Sequence, residues 1–379
     1  MKNTKPREVY YDVQINNFES TGAAQQPLRF TETRSKPLVE SSGDYSLSIV
    51  RFELDTYSLP TWIAEVVHAN NTDVNKMIES ITLELDDNGT LTTAGPYNLT
   101  WIPTNKHAAV PSSVQKLQEP AHEYYYSNSF RHYCDLVNNT FETLTTALKT
   151  SVGPTLNDLS PPKMIWNEQT QCAEIIGQRI FYNESVTSHV NIYFNRQLYG
   201  RLSSFPAMAN LNATQGKDYK ILMKSDYGNN VVSLVSHGVI GPGPESSDGV
   251  YFIKTCQEYS TISNWCAVAS VVFTTNTLPI VSTQQSETMI YDNGSALNVG
   301  VPQNFVQVIS DMSTNEMCYK PNLIYVPSAE YRMIDMFGDN SISTFDINVF
   351  WKDKRGNLIP FTLQSGASAS IKILFRLKM

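Results

Sequence analysis

Residues 341–379 read SISTFDINVFWKDKRGNLIPFTLQSGASASIKILFRLKM. Taken one residue in two, Phe345, Ile347, Val349 and Trp351 fall on one face, with Asp346, Asn348 and Lys352 largely opposite. A half-buried strand satisfies a period of two and a helix cannot. Lys354-Arg355-Gly356-Asn357 supplies a polar turn with one permissive glycine. Residues 358–363 then run extended, Ser365-Gly366 breaks the run, and alternation resumes through Ile371, Ile373, Phe375 and Leu377. Three closely spaced strands at this end predict a sheet core built from both chain ends.

The rest of the chain agrees with that reading. Val9, Tyr11, Val13 and Ile15 alternate near the start, and Tyr45, Leu47, Ile49, Phe52 and Leu54 predict a strand over 45–54. Residues 76–85 predict another, closed by Asp86-Asp87-Asn88-Gly89, a hairpin signal. Tyr97, Leu99 and Trp101 again share a spacing of two. One stretch breaks the pattern: over 124–149, Tyr126, Phe130, Tyr133, Leu136, Val137, Phe141, Leu144 and Leu148 step by threes and fours until Gly153-Pro154. That spacing predicts a single amphipathic helix covering a sheet, since it is not a strict heptad. Many further short β segments follow, with no βαβ alternation and no internal repeat, the signature of antiparallel sandwiches and jelly rolls.

Composition narrows the function classes. Of 379 residues, 41% are hydrophobic but only 17% charged, below the usual quarter, and Tyr (20) and Phe (16) are plentiful. Surfaces that meet other protein surfaces shed charge and gain aromatics in this way. A net charge of -8 argues against a dedicated nucleic-acid site, which needs clustered Lys and Arg. The one basic patch is Lys2, Lys5 and Arg7. No apolar run has membrane length and no signal peptide opens the chain. Cys134, Cys172, Cys256, Cys266 and Cys318 lack CxxC spacing, so free, mostly buried thiols from a reducing compartment are expected. The N-x-S/T sequons, Asn98-Leu99-Thr100 among them, read as the yield of an Asn- and Thr-rich chain.

No catalytic constellation emerges. The histidines, His68, His107, His122, His132, His189 and His237, show no metal-ligand spacing. Gly366-Ala367-Ser368-Ala369-Ser370 lacks the second glycine of a phosphate loop, and no GxSxG elbow occurs. Asp86-Asp87 and Asp335 with Asp339 do not fit a twelve-residue calcium loop and read as turn residues. Tyr124-Tyr125-Tyr126 opens the helix without interleaved Arg and reads as packing. No enzyme activity, cofactor or metal is expected.

Several stretches resemble a known family. DYSLSIVRF at 44–52, IYFN at 192–195 with LSSFP at 202–206, VVFTTNTLPI at 271–280 and FWKDKRGNL at 350–358 are similar to segments of penton proteins. These are the vertex, or minor capsid, proteins of polinton-like viruses, virophages and related small icosahedral DNA viruses. The resemblance implies an all-β chain: a single jelly-roll, that is an antiparallel β-sandwich, with an inserted region and one long amphipathic helix. The expected division is 1–104 for the N-terminal half of the jelly roll, 105–249 for the helix-containing insertion and outer loops, and 250–379 for the C-terminal half. It further implies a homopentamer among neighbouring major capsid proteins, made in the host cytoplasm or nucleus and carried in the virion, with a host receptor as a further partner. Lys2, Lys5 and Arg7 are the expected assembly arm. The expected outer loop tip is Pro242, Gly243, Pro244, Glu245, Ser246, Ser247 and Asp248. The chain has no Arg-Gly-Asp loop, so receptor binding by that route is not supported.

Two other readings stay open on sequence. One is the major capsid protein of a small single-jelly-roll virus. The other is a receptor- or glycan-binding β-sandwich spike head, for which Tyr97, Trp101 and Tyr199 are the residues to test.

Overall fold

The computed structural model describes residues 5–18, 26–68, 72–112, 118–210, 216–223, 252–282, 289–292, 295–298, 307–314, 322–326 and 332–378. The chain divides into two compact units, one made of Met1–Thr61 with Cys266–Met379, the other of Trp62–Trp265. Strands β1 (Glu8–Asn16), β2 (Arg29–Thr33) and β3 (Tyr45–Asp55) come first. The inserted unit holds β4 (Lys76–Asp87), β5 (Thr90–Thr100), helix α1 (Phe130–Val152), β6 (Lys163–Asn167), β7 (Cys172–Gln178) and β8 (Ser188–Phe194). It continues with α2 (Arg196–Arg201), β9 (Ala207–Ala209), β10 (Tyr219–Ile221), β11 (Phe252–Cys256) and α3 (Ile262–Trp265). The chain returns through β12 (Val268–Thr275), β13 (Gln307–Ser313), β14 (Asn322–Tyr325), β15 (Thr344–Asp353), β16 (Leu358–Pro360) and β17 (Ser368–Leu377).

In the first unit, one antiparallel sheet has the order β1-β17-β3-β14 and the other β13-β12-β15, with β2 and β16 sharing the far edge of β15. Numbered 1 to 8 along this unit, leaving out the short β16, the strands run 1-8-3-6 and 2-7-4-5, which is the jelly-roll order. The chain ends do meet in the core: Val13 pairs with Ile371, and Phe375 with Leu47. The sheets face each other through Phe52 of β3 against Phe273 of β12 (ring centroids 5.0 Å apart) and Tyr11 of β1 against Phe345 of β15 (5.2 Å). Phe52, Phe273 and Phe345 are fully buried, and each such burial stabilises by about 1.5–3 kcal/mol.

The β15 alternation holds on its inner side, where Phe345, Ile347, Val349 and Trp351 are all buried. Asp346 departs from it, being buried as well. It is not left unpaired: Thr275 Oγ1, Asn276 N, Thr277 N and Asn348 Nδ2 all donate to its carboxylate. The turn after β15 forms as the sequence suggests, with Gly356 at φ 88° and the Asp353 carboxylate accepting from Arg355 N and Asn357 N.

In the inserted unit, one sheet has the order β9-β10-β8-β4-β5 and another β11-β7-β6. Helix α1 packs against β4 and β5 of the first and β6 of the second. It starts later than the apolar spacing suggests, because Ser129 caps it by accepting from His132 N, while Glu123–Tyr125 forms a separate 3-10 turn. Gly153 at φ 88° ends it. At the β4–β5 register shift Gly95 has φ 105°, and a Cβ there would stand 2.9 Å from the Ile81 carbonyl oxygen.

The unit boundaries fall at 61/62 and 265/266, not at 104/105 and 249/250. The β4–β5 hairpin alternates like a sandwich strand pair, but β4 takes β8 as its other neighbour and so belongs to the insertion.

Candidate assembly surface

Both chain ends are fastened to one end of the jelly roll. Lys5 forms an ion pair with Asp44, holding that carboxyl below its ordinary value. Tyr45 OH donates to the Pro6 carbonyl (2.9 Å), and Leu377 N to the Arg7 carbonyl (2.9 Å). Lys378 N donates to the Asp44 carbonyl (2.7 Å) and its Nζ to the Met336 carbonyl (2.7 Å). Of the expected arm, then, Lys5 is engaged by its own chain, Arg7 is exposed, and Lys2 lies outside the described residues. The expected tip, Pro242 through Asp248, also lies outside them. The chain leaves this unit at the opposite end, beyond Asp55, because β3 runs from Tyr45 away from the termini.

The two borders of the β1-β17-β3-β14 sheet differ in chemistry. At the β1 border the outward residues are charged and paired: Glu8 with Arg376 (3.1 Å), and Asp12 with Lys372 (3.4 Å) and Arg51 (3.7 Å). Tyr10, 52% exposed, donates to Glu8 and lies against Lys372. At the β14 border, Ile324 is 61% exposed and Val326 just beyond it 70%. In the other sheet, Arg332 donates to the Asp311 carbonyl and to Ser310 Oγ of the end strand β13. One border thus carries charges paired within its own chain, while the other exposes Ile324 and Val326 beside an Asn322–Glu53 hydrogen bond.

The polar groups inside each unit serve packing. In the insertion, Arg201 ends α2 with its guanidinium on Glu79 (2.9 Å) and nearer the surface on Glu65 (3.9 Å). The rings of Trp62, Tyr133 and Trp265 surround it at 5.5–5.8 Å. Burial pushes the Glu79 carboxyl up and Arg201 opposes it, while Glu79 keeps the guanidinium protonated despite its burial. Sequence reading missed this pair, because its members stand far apart in the chain and only folding joins them. Among the described residues no group of three His, Cys, Asp or Glu could hold a metal, and no helix is long and apolar enough to cross a membrane.

The aromatics of the glycan-binding alternative and the cysteines fall in different environments. Trp101 is not a surface platform: it is buried, with Nε1 donating to the Tyr124 carbonyl (2.9 Å). Tyr199 stacks on Tyr219 at 3.9 Å, and Tyr97 remains 40% exposed. Cys134, Cys172 and Cys256 are free, with burial pushing the Cys134 thiol up to about 12, but Cys266 is disulfide-bonded. Sequence spacing carries no information about which thiols meet in space.

The family described as Sputnik minor capsid protein V18/19 matches residues 9–377. This chain belongs to that minor capsid protein family. The structural protein V19 of Sputnik virophage is 27% identical over 213 residues, which covers 55% of this chain and 91% of that protein. The uncharacterized protein V18 of the same virophage is 26% identical over 151 residues, 39% of this chain and 89% of that one. Among solved structures, a chain of the Sputnik virophage determined by cryo-EM superposes with a TM-score of 0.80 at 23% identity, covering 99% of both chains. The mavirus penton protein superposes with a TM-score of 0.63 at 12% identity, covering 98% of this chain and 100% of that one. At these identities the likeness is one of fold, and in this minor capsid family member it extends over both units.

Proposed function

We propose that this chain is the vertex protein of an icosahedral capsid, five copies closing a ring at each five-fold position among major capsid proteins. Its role is structural: it works by filling a position in the shell, and no residue set is assigned to catalysis. The observation that carries the reading is the unlike pair of borders on the first unit's sheet. A cyclic ring joins one surface of each subunit to a different surface of the next, so it needs a subunit whose sides are not self-complementary. Ile324 and Val326 supply an apolar side, and the β1 ladder of Glu8, Tyr10 and Asp12 a polar one. Membership of a minor capsid family and the fold shared with a penton protein support the same reading.

In this reading Arg7, exposed next to the fastening at Pro6, meets a neighbouring subunit, while Lys5 stays paired with Asp44. The test is the assembly state of the purified chain, by light scattering and negative-stain imaging over a range of salt. Rings of five support the proposal; a monomer under every condition contradicts it.

A further inference from the structure

The β4–β5 hairpin closes on the Asp87–Thr90 pair, which leaves Asn88 and Gly89 as a two-residue loop. Both stand at positive φ, 53° and 86°, as a type I′ turn requires. Asn88, Gly89 and Thr90 are exposed, and a Cβ placed on Gly89 would meet nothing within 4 Å. Two contacts hold the reactive groups of this loop. Gly89 N donates to Asp86 Oδ1 (2.8 Å), and Asn88 Nδ2 donates to Asp87 Oδ1 (3.4 Å). A bond from Gly89 N to Asn88 Cγ would close a five-membered ring through the Asn88 backbone carbonyl carbon, Cα and Cβ. A side chain at position 89 would crowd that closure, and glycine has none.

We propose that Asn88 is a self-modification site, where the chain converts its own side-chain amide to a carboxylate through a cyclic imide. Gly89 N passes its proton to the Asp86 carboxylate, the acceptor already in contact with it, and attacks Asn88 Cγ. The Cγ–Nδ2 bond then breaks, and ammonia leaves with that proton. Water, supplied by the exposed setting, opens the imide at either carbonyl. Opening at Cγ leaves aspartate, and opening at the backbone carbonyl leaves isoaspartate, with the main chain running through Cβ. The sum is amide plus water giving acid plus ammonia, so no oxidant or further reactant is needed. Either product adds a negative charge beside Asp86 and Asp87, and isoaspartate lengthens the main chain of a two-residue loop by one atom. The hairpin tip thus changes its charge once, without reversal. This inference does not depend on ring formation.

The test incubates the full chain in warm neutral buffer and follows the tryptic peptide 77–106, cut after Lys76 and Lys106. Fragment mass spectrometry locates the change from amide to acid, and isoaspartyl methyltransferase with labelled S-adenosylmethionine counts the isoaspartate. Asn88 is expected to convert ahead of Asn98 and Asn105, which lie in the same peptide without a following glycine. Gly89→Ala slows conversion by about tenfold or more. Asp86→Asn slows it by about tenfold in the folded chain but not in urea, where the contact with Gly89 N is gone. A melting curve checks that each variant is folded. Three results overturn the proposal: Asn88 intact in the folded chain while the urea-unfolded chain converts, Asn98 or Asn105 converting first, or folded Asp86→Asn converting at the parent rate. The assembly state of each sample is read separately, so that a failure of the ring is not mistaken for a failure of the site.

Discussion

Trp62 and Trp265, the first and last residues of the inserted unit, meet edge to face with ring centroids 6.2 Å apart and planes at 83°. Between them lies the whole insertion, and both rings also face the Arg201 guanidinium. The insertion therefore closes on itself at its own point of entry, through one buried cation, one buried carboxylate and a ring of aromatics.

Removing that cation should open the closure. Arg201→Met leaves Glu79 buried without a partner, a change that costs about 3–5 kcal/mol. Glu79→Gln, which keeps the shape, should cost less. Urea unfolding followed by tryptophan fluorescence reads both, since Trp62 and Trp265 report on the site directly. Equal stability of Arg201→Met and the parent protein would remove Arg201 from this role.

The jelly-roll core makes its own demand. Phe273→Ala removes the ring that meets Phe52 across the two sheets and should cost about 3–5 kcal/mol, read by thermal or denaturant unfolding. A loss below about 1 kcal/mol would mean that the sheets do not pack there.

Asp346 gives the fold an acid-sensitive contribution. Burial pushes its carboxyl up, but Asn276 N together with Thr277, Thr275 and Asn348 outweighs burial and holds it below the ordinary value. A folded-state value below the unfolded one means that this contribution is complete above the unfolded value and is lost as pH falls through the folded one. The melting temperature of the parent protein should fall in that acid range. Asp346→Ala should lower it at neutral pH, by unpairing buried donors, and should flatten the acid dependence. An unchanged acid slope in the variant would assign it to other groups.

The fold was more legible than the site. Phe345 to Trp351 and Ile371 to Phe375 announce strands because a half-buried strand imposes a period of two, and both proved to be central strands of the jelly roll. The same signal misplaced the insertion boundary, since alternation tells that Met77, Ile81, Leu83 and Leu85 form a strand but not which sheet receives it. Register is a long-range property: Leu83 finds Ile192 and Ala94, and nothing local encodes either. Asp346 read as outward-facing because the pattern sees polarity, not the Thr275–Thr277 loop that covers it. Trp101, one of the residues named for the alternative glycan-binding reading, is buried, since spacing cannot tell a core aromatic from an exposed one.

The proposed ring predicts a subunit contact at Ile324 and Val326. Ile324→Asp with Val326→Asp places two carboxylates where a neighbouring subunit should sit, and since both side chains are mostly exposed the monomer should fold normally. Rings should disappear from size-exclusion profiles while circular dichroism is unchanged. Intact rings would move the contact elsewhere.

Native mass spectrometry of the purified chain tests the vertex assignment most directly. Five subunits of 42.6 kDa in one closed species, lost in the Ile324→Asp, Val326→Asp variant, is the predicted result. A monomer in every buffer, or a closed species with a different number of subunits, would contradict it.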